Sequence, residues 1–337
     1  MKKKVYIDVI RVISMFLVVL AHATAPTLAQ KDKTTEWAVS SAIFTVTEIA
    51  VPLFFMISGA NILSSRQTLD IEWLFKHRLK RIFIPFLAWS ILSLTIIPIR
   101  GRTFNLPYFW KQLVMIYHRP IMISYWFIYP LIGLYLLSPL LKLIVDNAND
   151  NTIKYLLCLW FVFMIILPNV SKGFPEKIGT IFDGYSLGKI IGSSSLGYFV
   201  LGYWLSNKHR TQSIKHVAIL ITMFLSCMFF NVFVNVKSVD WNIQYLMTIT
   251  RINIPIMASL LFILIKSKEG KFSITTKKVI GFISPLTYGI YLSHGIVIEL
   301  LEKMNLNYIV VFVGTVLICS SIIFILRFIP LIRDVFM

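Results

Sequence analysis

The chain has 337 residues, 57% of them hydrophobic and 14% charged, with a mean hydropathy of +0.77. Soluble domains run at about 45–50% apolar and about 25% charged residues, so the composition excludes a soluble globular protein. The formal charge of +18 follows from the excess of basic residues that membrane proteins keep on their cytoplasmic side, so it gives no ground for expecting a nucleic-acid partner.

Ten segments are long and apolar enough to cross a bilayer as helices: 6–27, 37–63, 82–99, 122–142, 153–168, 188–206, 215–235, 243–265, 279–300 and 308–328. They are too long and continuous for the alternating strands of a membrane barrel, and lipid admits only helices or closed barrels. The sequence therefore predicts an all-α polytopic membrane protein with a single domain, 1–337. An N-terminus in the cytoplasm leaves 20 Lys and Arg residues on inner segments and 10 on outer loops. That bias places both termini in the cytoplasm. Cys158, Cys227 and Cys319 lie in separate apolar segments, show no disulfide or metal-ligand spacing, and read as buried small hydrophobes. No metal is expected.

The first segment, "MKKKVYIDVIRVISMFLVVLAHATA", has the lysines, apolar run and Ala21-His22-Ala23 of a secretory signal peptide. Asp8, Arg11 and His22 set it apart, and the segment is expected to stay in place. Arg11 and His22 are eleven residues apart, which returns to within about 20° of one helical face and rises about 16 Å. Asp8 stands three residues before Arg11 and is placed to pair with it. Taken singly, Arg11 also fits a side chain snorkelling to the inner headgroups, and His22 a residue at the outer interface.

The remaining intramembrane polar groups follow in order. Glu48 falls about halfway along the second segment, and His22 is its expected partner across the short loop 28–36. Pro52 and Gly59 loosen that segment. The third opens with "FKHRLKRIFIPFLAW", where Lys76, Arg78, Lys80 and Arg81 cluster. These residues anchor the helix at the headgroups, and Arg78 and Arg81, three apart on one helical face, also suit an anion such as phosphate. Arg251 and Pro255 interrupt the eighth segment. His294 lies in the outer half of the ninth, with Tyr288 and Tyr291 on one wall below it. A lone His there also fits a simple helix–helix hydrogen bond.

Five motifs occur in order: Arg-x10-His from Arg11, "PLFFMISG", "RLKRIFIP", "YWFIYPLIGLYLLSPLL" and "SPLTYGIYLSH". Together with ten helices they resemble acyltransferase family 3, integral-membrane enzymes that typically O-acetylate bacterial cell-surface polysaccharides. The resemblance implies acetyl transfer from acetyl-CoA to a hydroxyl of a capsular or exopolysaccharide, or of its lipid-linked precursor, at the bacterial inner (plasma) membrane. By resemblance Arg11 and His22 are the essential pair, and Arg78 and Arg81 the family's Arg-x-x-Arg motif. Some members carry a fused extracytoplasmic SGNH-hydrolase domain. This chain is expected to lack one, which leaves room for separate glycan-biosynthesis proteins as partners.

The residues fit that chemistry. Arg78, Lys80 and Arg81 would hold the polyanionic donor, and His22 would act as general base with Glu48 orienting it. Arg251, Tyr291 or His294 would stabilise the oxyanion or position the sugar. A transporter or flippase for a lipid-linked glycan or acyl donor is the competing reading of the same buried charges.

Overall fold

The computed structural model describes residues 4–30, 34–101, 103–173, 193–207, 214–241, 244–304 and 306–336. The described chain is helical throughout: α1 (Val5–Leu28), α2 (Thr35–Ile62), α3 (Ile71–Arg100), α4 (Leu106–Met115), α5 (Ile123–Asn147), α6 (Asp150–Ser171), α7 (Ser194–Asn207), α8 (Ile214–Trp241), α9 (Gln244–Lys266), α10 (Ile274–Glu302), α11 (Tyr308–Leu326) and α12 (Pro330–Phe336). Eight of these meet the length and hydropathy of a membrane span among the described residues. Helices α7 and α9 occupy the two remaining predicted segments. The predicted start of the sixth segment, 188–192, and Lys2 and Lys3 lie outside the described residues.

Helix α1 is a central stave rather than an appendage. It packs against α2, α10 and α11, and Ile10, Met15 and Val19 are fully buried. Its first amides are orphan donors at a partly positive helix end. Glu269, in the α9–α10 connection, accepts from Val5 N at 3.1 Å and Tyr6 N at 2.8 Å and so caps a helix 264 residues away in sequence. Lys4 Nζ donates to Ser206 Oγ at 3.1 Å at the same end. Burial holds the Lys4 ammonium below the usual lysine range, against the opposing pull of Glu269.

Three local features depart from regular helices. Helix α2 breaks at Glu48–Ile49, between Thr35–Thr47 and Ala50–Ile62. Pro52 has no N–H for the Glu48 carbonyl and its ring would clash with it, which accounts for the break. Helix α3 begins with a π-helical stretch, Leu74–Leu79, around the basic cluster. Helix α4 was not foreseen. It is capped by Asn105, whose side chain accepts from Tyr108 N, and it buries no side chain. Its aromatic residues Tyr108 and Trp110 are exposed.

Helices α2 and α7 approach each other closely. A Cβ on Gly59 would lie 1.8 Å from the Phe199 carbonyl oxygen, and one on Gly202 would lie 1.9 Å from that of Met56. Glycine alone permits this approach, as small residues do between membrane helices. The expectation of three buried cysteines is corrected. Only Cys319 is buried, whereas Cys158 is exposed and Cys227 half-buried, because α6 and α8 form outer walls of the bundle whose apolar surface needs no protein cover.

Candidate active site

Helices α1 and α10 run parallel and share a polar seam. Near its inner end Arg11 Nη1 donates to Asp8 Oδ1 at 2.6 Å and to Ser284 Oγ at 3.0 Å, and Ser284 Oγ donates to Asp8 Oδ1 at 2.8 Å. Asp8 is 6% exposed. A buried carboxylate with a guanidinium and a hydroxyl on it is the satisfied form of an otherwise costly group. The predicted Asp8–Arg11 pair is therefore present, with Ser284 as a third member that nothing in the sequence indicated.

Farther out along the same seam His22 meets His294, their ring centroids 5.1 Å apart and their planes tilted by 49°. Eleven residues on α1 thus match ten on α10. His294 is fully buried. Its Nδ1 faces the Tyr291 carbonyl oxygen, so Nδ1 carries the proton and Nε2 keeps a lone pair. That Nε2 is buried and has no hydrogen-bond partner among the described residues. Buried polar groups are normally satisfied, so this exception marks the His22–His294 contact as a candidate site.

Tyrosines fill the space beside the histidines. The Tyr291 hydroxyl donates to the Ser124 carbonyl, Tyr125 to the Leu292 carbonyl at 2.7 Å and Tyr288 to the Ile82 carbonyl at 2.7 Å. The Tyr291 proton expected to face an oxyanion is thus engaged with α5 backbone. Tyr135 of α5, half-buried, lies within the electrostatic reach of Arg78 and Arg11.

The basic cluster divides. Arg78 turns inward, its guanidinium 5.1 Å from the Trp73 ring centre and its Nε buried without a hydrogen-bond partner. Lys80 and Arg81 are exposed, and Lys76 pairs with Glu72. Arg78 and Arg81 thus differ in setting, half-buried against exposed, with the end of the π-helical stretch at Leu79 lying between them.

The expectation for Glu48 is corrected. No hydrogen bond or ion pair joins it to His22 among the described residues. The cation whose charge acts on it is Arg251 of α9, and Tyr198 of α7 lies within its own reach. Arg251 is exposed and belongs with Glu48 rather than with the histidines. A polar network the sequence reading missed lies nearby: Asn253 Nδ2 donates to Asn231 Oδ1 at 2.9 Å, and Asn231 Nδ2 donates to the Thr250 carbonyl at 2.9 Å. Asparagines in apolar helices are the signal that would have found it.

Farther along α1 and α10 than the histidines lies a cavity of about 450 Å³, lined in part by Pro26, Glu36, Glu302, Asn307 and Tyr308. No grouping of three or more His, Cys, Asp or Glu suited to a metal ion occurs among the described residues.

A multi-pass helical bundle in which the buried His294 meets the half-buried His22, above the half-buried Arg11 and Arg78, is built as an integral-membrane enzyme. The chain belongs to acyltransferase family 3, whose acyltransferase-domain model matches residues 4–327. It is a membrane acyltransferase. Neither a curated protein nor a solved structure matches it.

Proposed function

We propose that the protein moves an acetyl group from acetyl-CoA, entering at the arginine end, to a hydroxyl of a cell-surface polysaccharide or its lipid-linked precursor in the bacterial inner membrane. The observation that carries this reading is the α1–α10 seam, where the unpartnered Nε2 of His294 sits beside His22 and in line with Arg11. Arg78 and Arg11 lie where the anionic donor would approach, with the exposed Arg81 and Lys80 at the entrance.

His22 takes the proton of the acceptor hydroxyl, and the oxygen attacks the thioester carbonyl. A C–O bond forms, the C–S bond breaks, and the thiolate leaves with the proton that His22 received. His294 packs its ring against His22 and limits its rotation by that contact, in place of the orienting role first assigned to Glu48. General base catalysis of this kind contributes about 10²–10⁴-fold. His22→Ala and His294→Ala, expressed in a host that carries the acceptor glycan, are expected to lose O-acetyl signals in NMR spectra of the isolated polymer by that order. A folded variant that acetylates like the wild type would refute the assignment of its histidine.

A further inference from the structure

We propose that the cavity beyond the histidine pair is the acceptor subsite, and that it takes a sugar unit carrying no acidic group. This rests on the acyl-transfer reading of the seam. Its volume, about 450 Å³, lies within the range of small-molecule pockets, about 300–1,000 Å³. Four elements build it: α1, the start of α2, the end of α10 and the start of α11.

The register connects it to the chemistry. Pro26, in its wall, is four residues past His22, so it lies on nearly the same strip of α1, about 6 Å farther out. Glu302 stands eight residues past His294 on α10, about 12 Å farther along the axis. On α1 the cavity thus continues the strip of His22 outward, while Glu302, about 80° round α10 from His294, forms a side wall. An occupant seated there would direct one hydroxyl down towards His22.

The lining selects the occupant. Glu36 and Glu302 are carboxylates, Thr27 and Tyr308 offer hydroxyls, and no lysine or arginine is among the described lining residues. Asn307 Nδ2 donates to Glu36 Oε1 at 3.2 Å and steadies that carboxylate. Carboxylates accept from paired sugar hydroxyls and from ammonium groups, and they repel uronate or phosphate. The geometry points to a neutral or amino sugar.

The test is saturation-transfer NMR on the detergent-purified full chain with three β-linked disaccharides: cellobiose, the amino disaccharide of chitosan and cellobiouronic acid. The first two are expected to give transfer signals and the acid none. Glu302→Gln preserves shape and is expected to weaken the amino disaccharide by about tenfold. Val311→Phe fills the cavity and is expected to abolish both signals. Preference for the acid, signals unchanged in both variants, or no signal from any disaccharide overturns the proposal. Binding is read without a donor, so failure of the same preparation to use acetyl-CoA would count against the transfer reading alone.

Discussion

A histidine whose Nδ1–H is spent on its own helix at Tyr291 has one lone pair left, at Nε2. That explains why His294 belongs with His22 more closely than Glu48 does: a neutral ring of fixed tautomer orients its neighbour without placing a formal charge in the membrane. Arg78 and Arg81 separate in the same way at the level of single side chains. Arg78→Gln removes the inward guanidinium and is expected to raise the KM for acetyl-CoA by ten- to a hundredfold, the equivalent of about 1.5–3 kcal/mol for a charge-assisted contact. Arg81→Gln changes an exposed group and is expected to shift KM by less than about threefold. Equal effects in donor-titration assays would reunite the two arginines. The sequence made Arg11, His22 and His294 visible because charge and imidazole stand out in apolar helices. It hid Ser284, an ordinary residue until a tertiary contact sets it against a guanidinium.

The elements show where chain-level pattern stops. Apolar length located the eight spans found among the described residues, because length in lipid is dictated by bilayer thickness. The interruptions were less legible. Pro52 signalled a loosened helix, yet that Glu48 feels Arg251 rather than bonding His22 depended on which neighbours filled the space. The π-helical stretch at Leu74–Leu79 had no sequence signal. Helix α4 escaped because it is too short to span. The α2–α7 crossing offers a direct test. Gly59→Ala would put a methyl 1.8 Å from backbone, so the helices must separate. The expected destabilisation is at least about 1–3 kcal/mol, seen as a lower melting midpoint in detergent. Gly133→Ala, with nothing within 4 Å of the added carbon, serves as its control and is expected to be neutral or slightly stabilising.

At the scale of the molecule, the charge bias and the contacts agree on which loops share an end. Lys4, Ser206 and Glu269 meet at one end, while Glu36 meets Asn307 at the other. The positive-inside rule makes the first end cytoplasmic. In a background without native cysteines, Met304→Cys is expected to react with a membrane-impermeant maleimide in intact cells. Ser273→Cys is expected to react only after permeabilisation. The reverse pattern would invert the topology and place the arginine layer on the wrong side for a cytoplasmic donor.

The cap on α1 has a consequence for biogenesis. Asp8 and Ser284 are 276 residues apart. At about 5–20 residues per second of synthesis, roughly 14–55 s separate the emergence of the first helix from that of its partner. Throughout that interval α1 sits in the bilayer or the insertion machinery with Asp8 and Arg11 lacking Ser284 and with its leading amides uncapped. Nascent chains that stall before Glu269 therefore present a polar, unfinished stave, a natural signal for membrane quality control. The bundle closes only when the second-to-last long helix returns to the first.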